Sequence, residues 1–116
     1  KDHVRIDILL DEGEEKKAIR EVLTNDELPD KSLEKVARSI KKERPNDAIH
    51  IFDSLVQKYI GHAVRGAYEV AAKHAVSIKE IYITTKKDAG GWEHYIGAIR
   101  KNHSKKSALL DELRKL

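Results

Sequence analysis

The chain has 116 residues, of which 37% are charged and 5% aromatic, with 23 basic against 20 acidic side chains. Mixed charges interleaved with apolar residues are the composition of amphipathic helices and exclude a disordered tail, and the length fits a single domain, 1–116, with a modest core. No cysteine is present, which excludes disulfides, Cys-ligated zinc and a thiol nucleophile within the chain, while no apolar run approaches the roughly 20 residues of a membrane span and no signal peptide is visible. A reducing, cytoplasmic setting is the expectation. The chain opens on Lys1 and contains no Met, so it is expected to be a piece of a longer protein.

Residues 4–10 carry Val4, Ile8 and Leu9 at helical spacing. Gly13 then marks a turn inside the acidic stretch Asp11-Glu12-Gly13-Glu14-Glu15, and Glu14-Glu15 suit the positive end of the next helix. That helix carries Ala18, Ile19, Val22 and Leu23 and ends near Thr24-Asn25. Pro29-Asp30-Lys31-Ser32 reads as a turn with capping side chains at hand. Leu33, Val36, Ala37 and Ile40 form the third stripe, closed by Lys41-Lys42-Glu43-Arg44. Pro45 opens the fourth helix, in which Ala48, Ile51, Phe52, Leu55, Val56, Tyr59 and Ile60 share one face.

Gly61 and Gly66 bracket a boundary, and a long helix follows with Tyr68, Ala71, Ala72, Ala75, Ile78 and Tyr82. Ile81-Tyr82-Ile83-Thr84-Thr85 has strand propensity, but no second strand exists to pair with it, so it is assigned to the helix. Lys86-Lys87-Asp88 and Gly90-Gly91 stop that helix. A last one carries Trp92, Tyr95, Ile96, Ile99 and His103 and continues through Leu109, Leu110 and Leu113.

The fold class is therefore all-α, with about six helices paired as three antiparallel hairpins over roughly 2–24, 31–60 and 62–116. Each hairpin alone exposes an apolar face, so stacking completes the core as a TPR-like right-handed superhelix. Ala18 and Ala48 are small residues that let neighbouring helices approach. Their separation falls short of the 34-residue tetratricopeptide period, so the strict consensus is not met. Phe52, Tyr68, Trp92, Tyr95 and His103 are the expected packing anchors.

Ile8-Leu9-Leu10-Asp11-Glu12-Gly13, Glu43-Arg44-Pro45-Asn46-Asp47-Ala48, Ala67-Tyr68-Glu69-Val70-Ala71, and Trp92-Glu93-His94-Tyr95-Ile96 with Ile99-Arg100-Lys101-Asn102-His103 stand in an order shared with a known group. With Lys105-Lys106, Ala108-Leu109-Leu110 and Leu113 they cover nearly all of the chain. In this order the sequence resembles the C-terminal helical region of bacterial and archaeal SWIM zinc-finger proteins. The resemblance implies a Cys/His metal module elsewhere in such a protein, and this chain holds no Cys to build one.

No catalytic constellation emerges, and the chain is read as a non-enzyme without cofactor. His3, His50, His62, His74, His94 and His103 form no HExxH and no i,i+4 pair. The acidic run at 11–15 lacks the calcium-loop pattern, Gly90-Gly91 lacks any phosphate-loop context, and no serine sits in GxSxG. Charge is uneven: residues 1–58 hold 12 basic and 14 acidic side chains, residues 59–116 hold 11 and 6. Arg100, Lys101, Lys105, Lys106, Arg114 and Lys115 are the candidate contacts for a partner. Two functions follow. One is a scaffold for protein–protein interaction, with a groove for a peptide or helix; the alternative is auxiliary nucleic-acid binding through the basic C-terminal helix. No aromatic is interleaved among these cations, so a base-stacking platform is not expected.

Overall fold

The computed structural model describes residues 2–11, 13–25 and 27–116, with backbone only at 2–5 and 7. Glu12 and the side chains of His3 and Val4, which enter the sequence reading, lie outside the described residues. The protein is all-α: α1 (Asp2–Asp11), α2 (Glu15–Thr24), α3 (Asp30–Ile40), α4 (Pro45–Gly61), α5 (Arg65–Glu80), a π-helical turn (Ile81–Thr85), α6 (Ala89–Asn102) and α7 (Ser107–Leu113). The chain divides into two compact units, 1–52 and 53–116, with the division inside α4.

In the first unit α1, α2 and α3 pack on one another pairwise. Gly13 takes a left-handed φ of +74°. There its N–H bonds the carbonyl of Leu10 at 3.1 Å and the next N–H, of Glu14, bonds that of Leu9 at 2.7 Å. These two bonds close α1 with the Schellman geometry that glycine favours. The core is built from Ile6, Ala18, Ile19, Val22, Leu28, Val36, Ala37 and Ile40, all buried. The capping side chains expected before α3 are not used: Pro29 is its N-cap, without a side-chain bond, and Ser32 is buried. Asn25 shapes the turn instead, its side-chain oxygen accepting from the Glu27 N–H at 3.0 Å. Pro45 opens α4, where a missing N–H leaves no bond unmade.

In the second unit α5 packs against α7 and against the π turn, which also meets α6. The buried stripe of α5 is Tyr68, Ala71, Ala72, His74, Ala75 and Ile78. Ile81–Thr85 is helical, as the sequence reading assigned it, but wound as a π turn. Four of its five residues are β-branched, and such side chains crowd the preceding turn of an α-helix; a wider turn relieves that crowding. It closes on Lys87, at φ +54°, and the Asp88 N–H reaches back to the Tyr82 carbonyl at 2.7 Å. The expected last helix is two helices: α6 ends at Asn102, and α7 restarts at Ser107.

Asp88 caps α6, its carboxylate accepting from the Gly91 N–H at 2.9 Å. A Cβ on Gly91 would run into that same carboxylate and come within 2.7 Å of Tyr82 Cε1, whereas a Cβ on Gly90 would have nothing nearer than 3.8 Å. The two neighbours therefore respond oppositely. Gly90→Ala is expected to stabilise by about 0.5–1 kcal/mol through helix propensity. Gly91→Ala is expected to destabilise by about 1 kcal/mol, because displacing the cap costs about 0.5–2 kcal/mol on top of the clash. Thermal melts followed by circular dichroism separate the two signs.

Candidate interaction surfaces

The packing anchors divide by position. Phe52, Tyr68 and Trp92 are buried. Tyr95 is half-buried, its ring 6.0 Å from Trp92 and 6.4 Å from Tyr82. Its hydroxyl donates to Asp53 Oδ1 at 2.6 Å, and Gln57 Nε2 donates to the same oxygen at 3.3 Å. Burial pushes the Tyr95 phenol well above its ordinary pKa, and the Asp53 hydrogen bond and charge push it further. Tyr82 is raised too, by burial and by the charges of Asp88 and Asp53. Lys79 Nζ lies 5.9 Å from the Trp92 ring centre and Lys86 Nζ 5.1 Å from that of Tyr82. His103 is half-exposed at the C-cap of α6, its N–H bonded to the Ile99 carbonyl at 3.0 Å. The apolar stripe of α6 ends before it.

The basic C-terminal set is split by the break between α6 and α7. Arg100, though exposed, donates to the Leu113 carbonyl at 3.3 Å. Arg114 pairs with Asp111 at 3.0 Å, and Lys115 with Glu112 at 3.1 Å. Glu112 is only 6% exposed and is also met by Arg65 of α5 at 3.4 Å, which reaches Asp111 at 3.7 Å as well. Arg65 thus ties the start of α5 to α7. Lys101 and Lys105 are exposed and Lys106 half-exposed. Arg100, Arg114 and Lys115 thus have partners within the chain while remaining exposed, alongside Lys101, Lys105 and Lys106 at the α6–α7 corner.

Two further surfaces were not singled out by the sequence reading. On α5, Lys73, Val76 and Glu80 follow at one helical face, and all three are exposed, with the exposed Ile83 beyond them. On α3, Lys31, Lys35 and Arg38 are exposed at i, i+4 and i+7, and exposed Lys42 continues the series at i+11. The signal for the α3 stripe was present in the sequence, as cations at helical spacing opposite Val36, Ala37 and Ile40. Counting charge by halves averaged it away.

Among the described residues no three His, Asp or Glu side chains converge to hold a metal ion, and no helix is long and apolar enough to cross a membrane. No buried side-chain nitrogen or oxygen there lacks a hydrogen-bond partner. Compared with models of known protein families, with curated proteins and with solved structures, the chain finds no match.

Proposed function

We propose that this chain is a non-catalytic helical scaffold, TPR-like in its stacking, that binds another protein. The observation that carries the reading is the outer face of α5 and the π turn that follows it, where Val76 is 41% and Ile83 40% exposed beside the exposed charges of Lys73 and Glu80. Apolar side chains rimmed by charges of both signs suit a protein surface, whereas a phosphate backbone selects cations alone. The pairing of the exposed Arg114 and Lys115 with Asp111 and Glu112 offsets part of the positive charge a phosphate backbone would need and supports the same preference. The resemblance of the Trp92–Leu113 stretch extends the proposal to the helical region of a cytoplasmic SWIM zinc-finger protein.

The test is differential capture. The chain and its Val76→Lys/Ile83→Lys variant are immobilised side by side and exposed to the same cell extract, with far-ultraviolet circular dichroism confirming equal helicity. Proteins retained by the native chain and lost by the variant support the reading. Identical retained sets overturn it. The alternative, nucleic-acid binding through Lys101, Lys105 and Lys106, requires affinity for DNA or RNA that falls steeply with salt.

A further inference from the structure

The exposed face of α3 carries a concentration of basic side chains in the first unit. Residues 31–42 hold five basic side chains and one acidic, while residues 1–52 as a whole hold 11 basic and 13 acidic. Four of the five cations, Lys31, Lys35, Arg38 and Lys42, fall within one narrow arc of the helix. Lys42 belongs to the series because helical backbone continues past Ile40: Lys41 has φ −60° and ψ −28°, and the Arg44 N–H bonds the Ile40 carbonyl at 2.7 Å. The opposite face is fixed in the core by Ser32, Val36, Ala37 and Ile40, so the cations are held on a rigid rod. The carboxylate beside the stripe, Glu34, holds Arg38 at 3.1 Å and orients its guanidinium. Lys31, Glu34, Lys35, Arg38 and Ser39 border an open hollow along this face.

We propose that this face docks an acidic amphipathic helix of a partner protein, with carboxylates at i, i+4, i+7 and i+11 opposite Lys31, Lys35, Arg38 and Lys42. Two helices side by side share the same rise of about 1.5 Å per residue, so carboxylates at that spacing meet the cations one for one. The intervals of four, three and four residues read the same in both directions, so the partner helix can run either way. The stripe is about 16 Å long at that rise. Outside residues 31–42 the first unit holds 12 acidic against six basic side chains, a net negative balance that disfavours a polyanion longer than the stripe. At physiological salt, charges are screened beyond about 8 Å, so a short acidic helix gains the local attraction without that repulsion. This inference concerns residues 31–42 and stands apart from the α5 surface.

Fluorescence anisotropy at low salt tests it, using labelled peptides on an Ala/Gln helix. One carries four Glu at the 4-3-4 spacing; the other carries the same four Glu distributed around the helix. A 16-nucleotide single-stranded DNA is the third probe. The patterned peptide is expected to bind about tenfold more tightly than the scrambled one, as several modest ion pairs acting together allow. Lys31→Glu/Lys42→Glu should lose about the same factor, while Lys16→Glu/Arg20→Glu, an equal charge change on exposed residues of α2, should lose little. Equal binding of the two peptides, no binding of the patterned one, tighter binding of the DNA, or equal loss in both double variants each overturns the proposal. Circular dichroism of the variants confirms that the fold is intact.

Discussion

Trp92→Ala is expected to lower the unfolding free energy by about 3–5 kcal/mol. Trp92 is the only tryptophan and is 4% exposed, in the first turn of α6. Burying such a ring removes on the order of 200 Å² from water, worth about 5 kcal/mol at 25 cal/mol per Å². The ring also carries Lys79 Nζ at 5.9 Å, a contact worth about 0.5–1 kcal/mol. Lys79 donates in addition to the main-chain oxygen of Leu116 at 2.5 Å, so the lysine links the indole to the segment that follows α7. Alanine would leave a cavity beside Tyr95, whose ring is 6.0 Å away, and would leave the Lys79 stem unsupported. Trp92→Phe keeps most of the apolar area and should cost about half as much. Urea unfolding followed at 222 nm checks both, since the substitution removes the natural fluorophore. A loss under 1 kcal/mol for the alanine variant would mean that the ring contributes little to the core.

How much of this could be read from the sequence depends on the range of the interaction. The α4 stripe was legible because Pro45 and a run of 3.6-residue spacing agree: Ile51, Phe52, Leu55, Val56 and Ile60 are all buried. The helical state of Ile81–Thr85 followed from the lack of a pairing strand. Its π winding did not, because a β-branched run crowds an α-helix without specifying which wider turn relieves the crowding. The break after Asn102 was missed because no Gly or Pro marks it. Asn102-His103-Ser104 are only modest helix formers, and the contact that accompanies the break, Arg100 to the Leu113 carbonyl, joins residues on different helices. For the same reason no local pattern pointed to Arg65, whose partner Glu112 lies 47 residues away. Arg100, Arg114 and Lys115 are surface cations, as the sequence suggests, but their partners Leu113, Asp111 and Glu112 are supplied by the fold.

The hydrogen bond from Tyr95 to Asp53 spans 42 residues and should appear in both stability and pH dependence. Asp53→Ala is expected to cost about 1–2 kcal/mol, because it leaves a half-buried hydroxyl without its acceptor. Tyr95→Phe should cost less, since no donor is stranded and Asp53 keeps its bond from Gln57. The double variant should cost less than the sum of the two, with a coupling of about 1–2 kcal/mol. The pH effect has a fixed sign. The folded-state pKa of Tyr95 is raised above 10.0 by burial, by the Asp53 hydrogen bond and by the Asp53 charge, so the folded chain holds this proton more tightly than the unfolded chain. Its stabilising contribution is complete below pH 10 and is lost as the pH climbs above it. Tyr82 acts in the same direction. Stability should therefore decline above about pH 10 in the native chain, and less steeply in Tyr95→Phe. Absorbance at 295 nm reads the ionisation directly: Tyr82 and Tyr95 should titrate late in the native chain. In Asp53→Ala the Tyr95 ionisation should move toward its ordinary range, since two of the causes that raise it are gone. An unchanged titration in that variant would mean that Asp53 does not hold the proton.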